Sequence, residues 1–354
     1  MRTPDLRNLP PPPPGRTGWP WTEESPQLPM TMARGSAWPR ITIVTPSFNQ
    51  GQFLEETIRS VLLQGYPNLE YMVIDGGSTD NSVEIIKKYE SWLAYWVSEK
   101  DRGQCHAINK GWQRATGELI AYLSSDDTYL PGALSCAAEA WCLDRDATAV
   151  VGAVQATDDQ SRPVGKPMIP RLPTPAPLDL TVIDHEQWLL PQQSAFWSRT
   201  ALDKVGRWLR EALHYTMDRE LYYRLCPTGK VVLVEDVLGT YRFHETSKSV
   251  SSILSMYRED SKALAFCDWG GAEEEWLRRR VGRWRLAQGH YKFARAVPGH
   301  LRSLKHLLLA AMYRPGYLRR SGFWIAALNG LRLATPARWI WTRRPGRVAA
   351  VRSA

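Results

Sequence analysis

Cysteine is scarce and unpatterned in this chain. The five present, Cys105, Cys136, Cys142, Cys226 and Cys267, are odd in number, form no CxxC pair and stand near no zinc-like histidine spacing. They argue against a disulfide frame and for a reducing compartment. An apolar stretch near the N-terminus is missing too, which argues against a secretory signal. Long apolar runs are also absent. The longest uncharged run of the basic C-terminal end is Ser321 to Leu331, about half of the roughly 20 residues that cross a bilayer. Residues 276–354 contain no Asp or Glu against 18 Lys and Arg, whereas residues 1–275 hold 27 Lys and Arg against 36 Asp and Glu. The overall charge of +9 therefore describes neither part.

What is present is a length of 354 residues, room for one large α/β domain with an appendage or for two modest domains. Residues 1–39 contain Pro10 to Pro14 in a row, further prolines at 20, 26, 29 and 39, and little apolar periodicity. Such a segment is expected to be a disordered leader. It would be shorter if translation starts at Met30 or Met32, and an SH3-type ligand is the alternative use of its prolines.

From Arg40 strands alternate with helices. Strands are expected at Ile41–Thr45, Tyr71–Asp75, Ala94–Ser98 and Leu119–Leu123, with helices between them, the second capped by Ser78 or Thr79 and the third over Ala107–Ala115. This βαβαβαβ order predicts an open, mostly parallel, Rossmann-like sheet with helices on both faces. Further on, helices are expected at about 131–144, 198–206 and 216–226, a strand at Thr148–Val154 and one or two edge strands over Val231–Phe243.

The chemistry concentrates where strands end. In YLSSDD, Tyr122 to Asp127, an apolar strand runs into two adjacent carboxylates. Hard oxygens at such an edge suit Mg²⁺ or Mn²⁺ bridging to substrate phosphates; the plainer reading is a cap for the helix that Pro131 starts. The loops TPSFNQG, Thr45 to Gly51, and DGGSTDNS, Asp75 to Ser82, also lie at strand ends, and neither fits the dinucleotide or phosphate-loop glycine patterns. Asp75 could accept hydrogen bonds from a base or ribose, or cap the turn at Gly76 and Gly77. The segment SEKDRGQCHAINKGW, Ser98 to Trp112, carries Glu99, Asp101 and Arg102 ahead of Gly103, a charged loop able to close over phosphate or to start the next helix. His106 reads as a satisfied histidine rather than a catalyst.

The ordered series TPSFNQ, IDGGSTDNS, SEKDRGQ with AINKG, and GELIAYLSSDD resembles the family 2 glycosyltransferases, inverting nucleotide-sugar enzymes of GT-A fold. The likeness continues through PQQSAFWSR, MDRELYYRL and YRFHETSKS and covers about residues 40–255. It implies a nucleotide contacted by Thr45, Pro46, Asp75 and Asp101, with Asp75 near the base, and a divalent metal held by Asp126 with help from His244. It further implies Asp218 as the general base, Gln192 and Gln193 at the acceptor, and Arg242 or Lys248 against the diphosphate. Glu220, two residues from Asp218 on a helix, should point elsewhere. Trp188 and Trp197 offer either sugar platforms or core packing. Many members have an aspartate two positions before the one matching Asp126; here Ser124 stands there, a poor hard-metal ligand.

The expected organisation is a leader over 1–39, a GT-A domain over 40–265, with a nucleotide half to 127 and an acceptor half from 128, and a basic helical tail over 266–354. In the tail Leu301, Leu304, Leu308, Ala311 and Met312 recur at helical spacing among Arg, Lys and Trp. Basic amphipathic helices of this kind bind anionic membrane surfaces; packing on the acidic body and nucleic-acid binding are the rivals, and no nucleic-acid motif accompanies it. The expected activity is metal-assisted, inverting sugar transfer from a nucleotide diphosphate donor, UDP by default, to a glycan or polyprenyl-linked acceptor at the cytoplasmic face of a membrane. The alternative is a degenerate sugar-nucleotide-binding or scaffold protein.

Overall fold

The computed structural model describes residues 3–33, 35–172, 190–225, 228–244 and 301–319, with single positions scattered between 255 and 327. The chain divides into two units, residues 1–285 and 286–354.

The first unit is built on a seven-stranded sheet. Its strands are β1 (Ile41–Ser47), β2 (Leu69–Asp75), β3 (Tyr95–Ser98), β4 (Leu119–Tyr122), β5 (Ala149–Thr157), β6 (Ala195–Ser198) and β7 (Val231–Arg242), in the spatial order β3-β2-β1-β4-β6-β5-β7. β1 pairs in parallel with β2 and β4, and β2 in parallel with β3. β6 runs antiparallel to both its neighbours. The run ITIVTPS of β1 is buried along its whole length, as central parallel strands covered on both faces require. The helices are α1 (Gly51–Leu62), α2 (Ser82–Tyr89), α3 (Gln104–Arg114), α4 (Ala133–Leu143), α5 (Arg199–Lys204) and α6 (Met217–Leu225). α3 lies so close to the sheet that a Cβ on Gly111 would stand 2.5 Å from Val44. The elements follow the expected order, but α2 begins at Ser82 after Asn81 rather than on a Ser78 or Thr79 cap. Ser78 Oγ instead donates to Asp75 and accepts from the Asn49 amide.

The proline-rich leader corrects the expectation of disorder. Its carbonyls at Pro10, Pro20 and Trp21 accept from the fully buried Arg59 guanidinium of α1 at 2.9–3.0 Å. Leu9 and Trp21 are buried, and the Trp19 indole donates to the Tyr129 carbonyl at 2.8 Å. Proline presets φ and carries no N–H to satisfy, so the segment loses less entropy on wrapping a helix than its composition suggests. α1 is the element that needs it: eleven of its twelve residues are buried, because the leader covers the face that a sheet-packed helix ordinarily shows to water.

In the second unit α7 (Leu301–Tyr313) is followed by a 3₁₀ turn at Pro315–Arg319. Ala287, Tyr291, Leu307, Ala310 and Phe323 form a small core. Among the described residues no helix is long and apolar enough to cross a membrane.

Candidate active site

A cleft of about 980 Å³ opens at the carboxyl ends of the parallel strands, the place where open α/β sheets hold ligands. The end of β1 contributes Pro46 and Ser47 and the loop after it Phe48; the loop after β2 contributes Gly76 and Gly77, that after β3 Lys100 and Asp101, and that after β4 Ser124 to Asp127. Gln192, Gln193, His214, Tyr215, Asp218, Tyr241 and His244 complete the lining. Residues distant in sequence and expected to act together thus share one cavity.

Asp126 Oδ2 lies 3.0 Å from His244 Nε2, and both side chains line the cleft. A carboxylate and an imidazole are groups that could hold a divalent ion here. The Ser124 hydroxyl accepts from the Gln104 amide at 3.1 Å, and a hydroxyl is a poor hard-metal ligand. Among the described residues no group of three His, Cys, Asp or Glu could enclose a metal. Asp127 turns inward: it is 3% exposed and accepts from the Arg242 backbone N–H at 2.9 Å. Burial first, then the neighbouring Asp126, pushes its carboxyl well above the usual carboxylate range. Of the acidic pair, Asp126 is therefore the one offered to a ligand.

Asp218 stands in the first turn of α6 and faces the cleft, its Oδ1 accepting from the Arg219 N–H at 2.9 Å. Glu220 points away, fully buried between Arg210 and Arg224. The turn before α6 is held from a distance: Glu259 accepts from the backbone N–H groups of His214, Tyr215 and Thr216.

Other expected site residues sit elsewhere. Thr45 is buried with its hydroxyl 3.1 Å from that of Tyr71, so only its neighbour Pro46 reaches the cleft. Asp75 is 0% exposed, and its oxygens accept from the Gly77 and Ser78 amides and from the Ser78 and Ser98 hydroxyls. It is the brace of the turn, not a group open to a base. Asp101 does face the cleft: its carboxylate rests where a side chain at 76 would be, 2.7 Å from a Cβ built on Gly76, and it accepts from the Gly103 N–H. Gln192 lines the cleft while donating to the Tyr122 carbonyl at 2.6 Å.

Arg242 is a second correction. It is 1% exposed and does not line the cleft. Its guanidinium donates to the Asp126 carbonyl at 2.7 Å, pairs with Glu56 at 3.2 Å, meets Ser161 at 2.8 Å and lies over the Phe53 ring. It holds the acidic loop from behind, where it cannot meet a diphosphate. Trp197 is core, packed between Trp112 and Tyr122. Trp188 and Lys248 lie outside the described residues. His106 accepts from the Arg102 N–H.

Two residues escaped the sequence reading. Phe48 keeps 59% of its surface exposed while lining the cleft, and an aromatic ring in a polar loop at a strand end was the available signal. Glu259 gave none, since its partners lie more than 40 residues away.

Residues 42–206 match the family described as "Glycosyl transferase family 2". An uncharacterized glycosyltransferase of Mycobacterium tuberculosis is 32% identical over 170 residues, 48% of this chain and 62% of that protein; the chain thus spans about three fifths of that relative's length. Among solved structures, S. aureus TarS 1–349 in complex with UDP-GlcNAc matches with a TM-score of 0.55 at 16% identity, over 83% of this chain and 89% of that one. The mannosyltransferase PcManGT of Pyrobaculum calidifontis, in complex with GDP-Man and Mn²⁺, matches with a TM-score of 0.52 at 19% identity, over 83% and 87%. With the strand order and the strand-end cleft already in hand, these matches show a chain of the GT-A fold whose residues 42–206 are similar to glycosyltransferase family 2.

Proposed function

We propose that this protein transfers a sugar, with inversion, from a nucleotide diphosphate donor to a glycan or polyprenyl-linked acceptor at the cytoplasmic face of a membrane. The observation that carries the reading is that the paired Asp126 and His244 line the same cleft as Asp218. The nucleotide occupies the end formed by Pro46, Phe48, Gly76 and Asp101, where the exposed Phe48 ring can stack on a base and the Asp101 carboxylate can accept from it. UDP is the default donor nucleotide. Asp126 and His244 would hold a divalent metal, Mn²⁺ or Mg²⁺, which when bound supplies positive charge against the diphosphate. Asp218 takes the proton of the acceptor hydroxyl as that oxygen attacks the anomeric carbon from the face opposite the departing nucleotide. Gln193, beside Asp127, and Gln192 present amides to the acceptor side.

A metal position with two protein ligands, where Ser124 stands in place of a carboxylate, favours one rival, a protein that binds nucleotide sugars without turning them over. The deciding experiment is thermal stabilisation by UDP, GDP and dTDP with Mn²⁺, Mg²⁺ or chelator, together with nucleotide release from the matching donor sugar. Metal-dependent stabilisation that Asp126→Ala abolishes, with turnover that Asp218→Asn lowers by at least about 10²-fold while leaving nucleotide affinity unchanged, is the expected result. Stabilisation without any nucleotide release favours the rival.

A further inference from the structure

We propose that the outer face of α7 and the turn after it form a docking surface for an anionic lipid bilayer. Within its own unit α7 buries Leu307 and Ala310 against Tyr291 and Phe323. Lys305, Leu308 and Met312 recur at the i, i+3, i+7 spacing that places side chains on one side of a helix, about opposite that buried pair. Leu308 is 65% and Met312 76% exposed, and Lys305 is exposed with them. The line of Leu308 and Met312 read from the sequence as an amphipathic stripe therefore faces outward, while a different line makes the core. Past the helix Leu318 and Trp324 are exposed as well, joined by a 2.7 Å hydrogen bond from the indole to the Leu318 carbonyl, and Arg319 beside them is exposed.

Leu308, Met312, Leu318 and Trp324, facing water beside cations, describe a face suited to the interface of a membrane, where aliphatic groups enter the acyl boundary and Trp sits at headgroup level. The charge names the kind of membrane. Residues 286–354 hold 13 Lys and Arg and no acidic residue, so the unit is attracted to anionic headgroups. The same charge repels a second copy of itself. Nucleic acid fits less well, because Leu308, Met312 and Leu318 are aliphatic and offer no flat face to a base, and the Tyr313 ring already stacks on His290.

The test uses the full chain and sedimentation with vesicles of phosphatidylcholine alone or mixed with phosphatidylglycerol. Binding to the mixed vesicles is expected to exceed binding to the neutral ones by at least about tenfold, since each cation near the surface contributes about a tenfold share or less. Leu308→Glu with Met312→Glu is expected to lower binding to the anionic vesicles by at least about tenfold, while Leu307 stays in place to keep the unit's core. Circular dichroism verifies that the variant is folded, and should it unfold, Leu308→Ser with Met312→Ser is measured in its place with the same expected loss. Equal binding to both vesicles, no binding, or binding unchanged by the substitutions overturns the proposal. So does a concentration-dependent dimer that the substitutions dissolve, or loss of single-stranded DNA binding in the variant without loss of vesicle binding. Nucleotide-induced stabilisation is recorded on the same samples. It reports on the donor cleft alone, so a failed donor site and a failed docking surface are told apart.

Discussion

At the scale of single residues, the acidic loop after β4 is set by its supports. Arg242 bonds the Asp126 carbonyl through Nε and the Asp127 carboxylate through its own N–H, and two residues on along the same strand end His244 meets Asp126. Arg242→Lys keeps the charge but loses the planar fork that serves several acceptors at once. The fold is expected to survive, whereas the metal concentration needed for nucleotide-induced stabilisation should rise about tenfold or more, read by thermal titration with Mn²⁺. Arg242→Ala leaves the buried Glu56 without its cation though still bonded by Ser161, a loss of about 3 kcal/mol in denaturant unfolding. Glu70 gives the pH dependence. Burial opposes its ionisation, but bonds from Thr116 and Thr42 together with the charge of Arg40 outweigh it and hold the carboxyl below its ordinary 4.5. A depressed folded pKa contributes stability that is present above the ordinary value and lost as pH falls through the folded one. Glu70→Gln should therefore cost about 1 kcal/mol at neutral pH, the low end for a half-buried charged acceptor, and the gap from the parent should close in acid. A gap that widened in acid would contradict the assignment.

At the scale of elements, the leader carries the sharpest consequence. Starting the chain at Met30 removes Leu9, Trp19 and Trp21 from the face of α1 and the three carbonyls from Arg59. With two fully buried apolar side chains at about 1.5–3 kcal/mol each, the shortened protein should unfold about 3–6 kcal/mol more readily and aggregate sooner on heating. A truncated chain as stable as the full one would show the packed leader to be dispensable. The same elements show what the sequence made legible and why. Strands such as Ile41–Ser47 and Leu69–Asp75 announced themselves because a buried parallel strand is a short apolar run bounded by turn residues. The leader did not, because its stability comes from α1: composition reports what a segment can bury, not which buried arginine needs its carbonyls. The candidate site was legible to the same extent. Asp101, Asp126, Asp218 and His244 line one cleft. Thr45, Asp75 and Arg242 were misplaced because a motif records a position and not the direction its side chain takes; all three spend their polar atoms inside the protein.

At the scale of the whole molecule, charge divides where the fold does. Residues 1–285 hold 32 Lys and Arg against 36 Asp and Glu, and residues 286–354 hold 13 against none. The described residues that line the cleft all fall between Pro46 and Met256, inside the first unit. Donor binding should then belong to the first unit, and the second should contribute attraction to a surface. A fragment of residues 1–285 is expected to keep the nucleotide- and metal-dependent stabilisation of the full chain within error, to lose retention on a cation exchanger, and to release nucleotide from the donor at an unchanged rate in solution. Transfer to an acceptor embedded in anionic vesicles should fall, because the local concentration supplied by the membrane is gone. The comparison is informative in both directions. If the fragment lost nucleotide binding, the basic unit would have to support the donor cleft, and the division of labour drawn from the charge would be wrong. If it kept binding and lost only vesicle-dependent transfer, the uneven charge of the sequence would have its physical explanation in an acidic catalytic body carried to an anionic surface by a basic end.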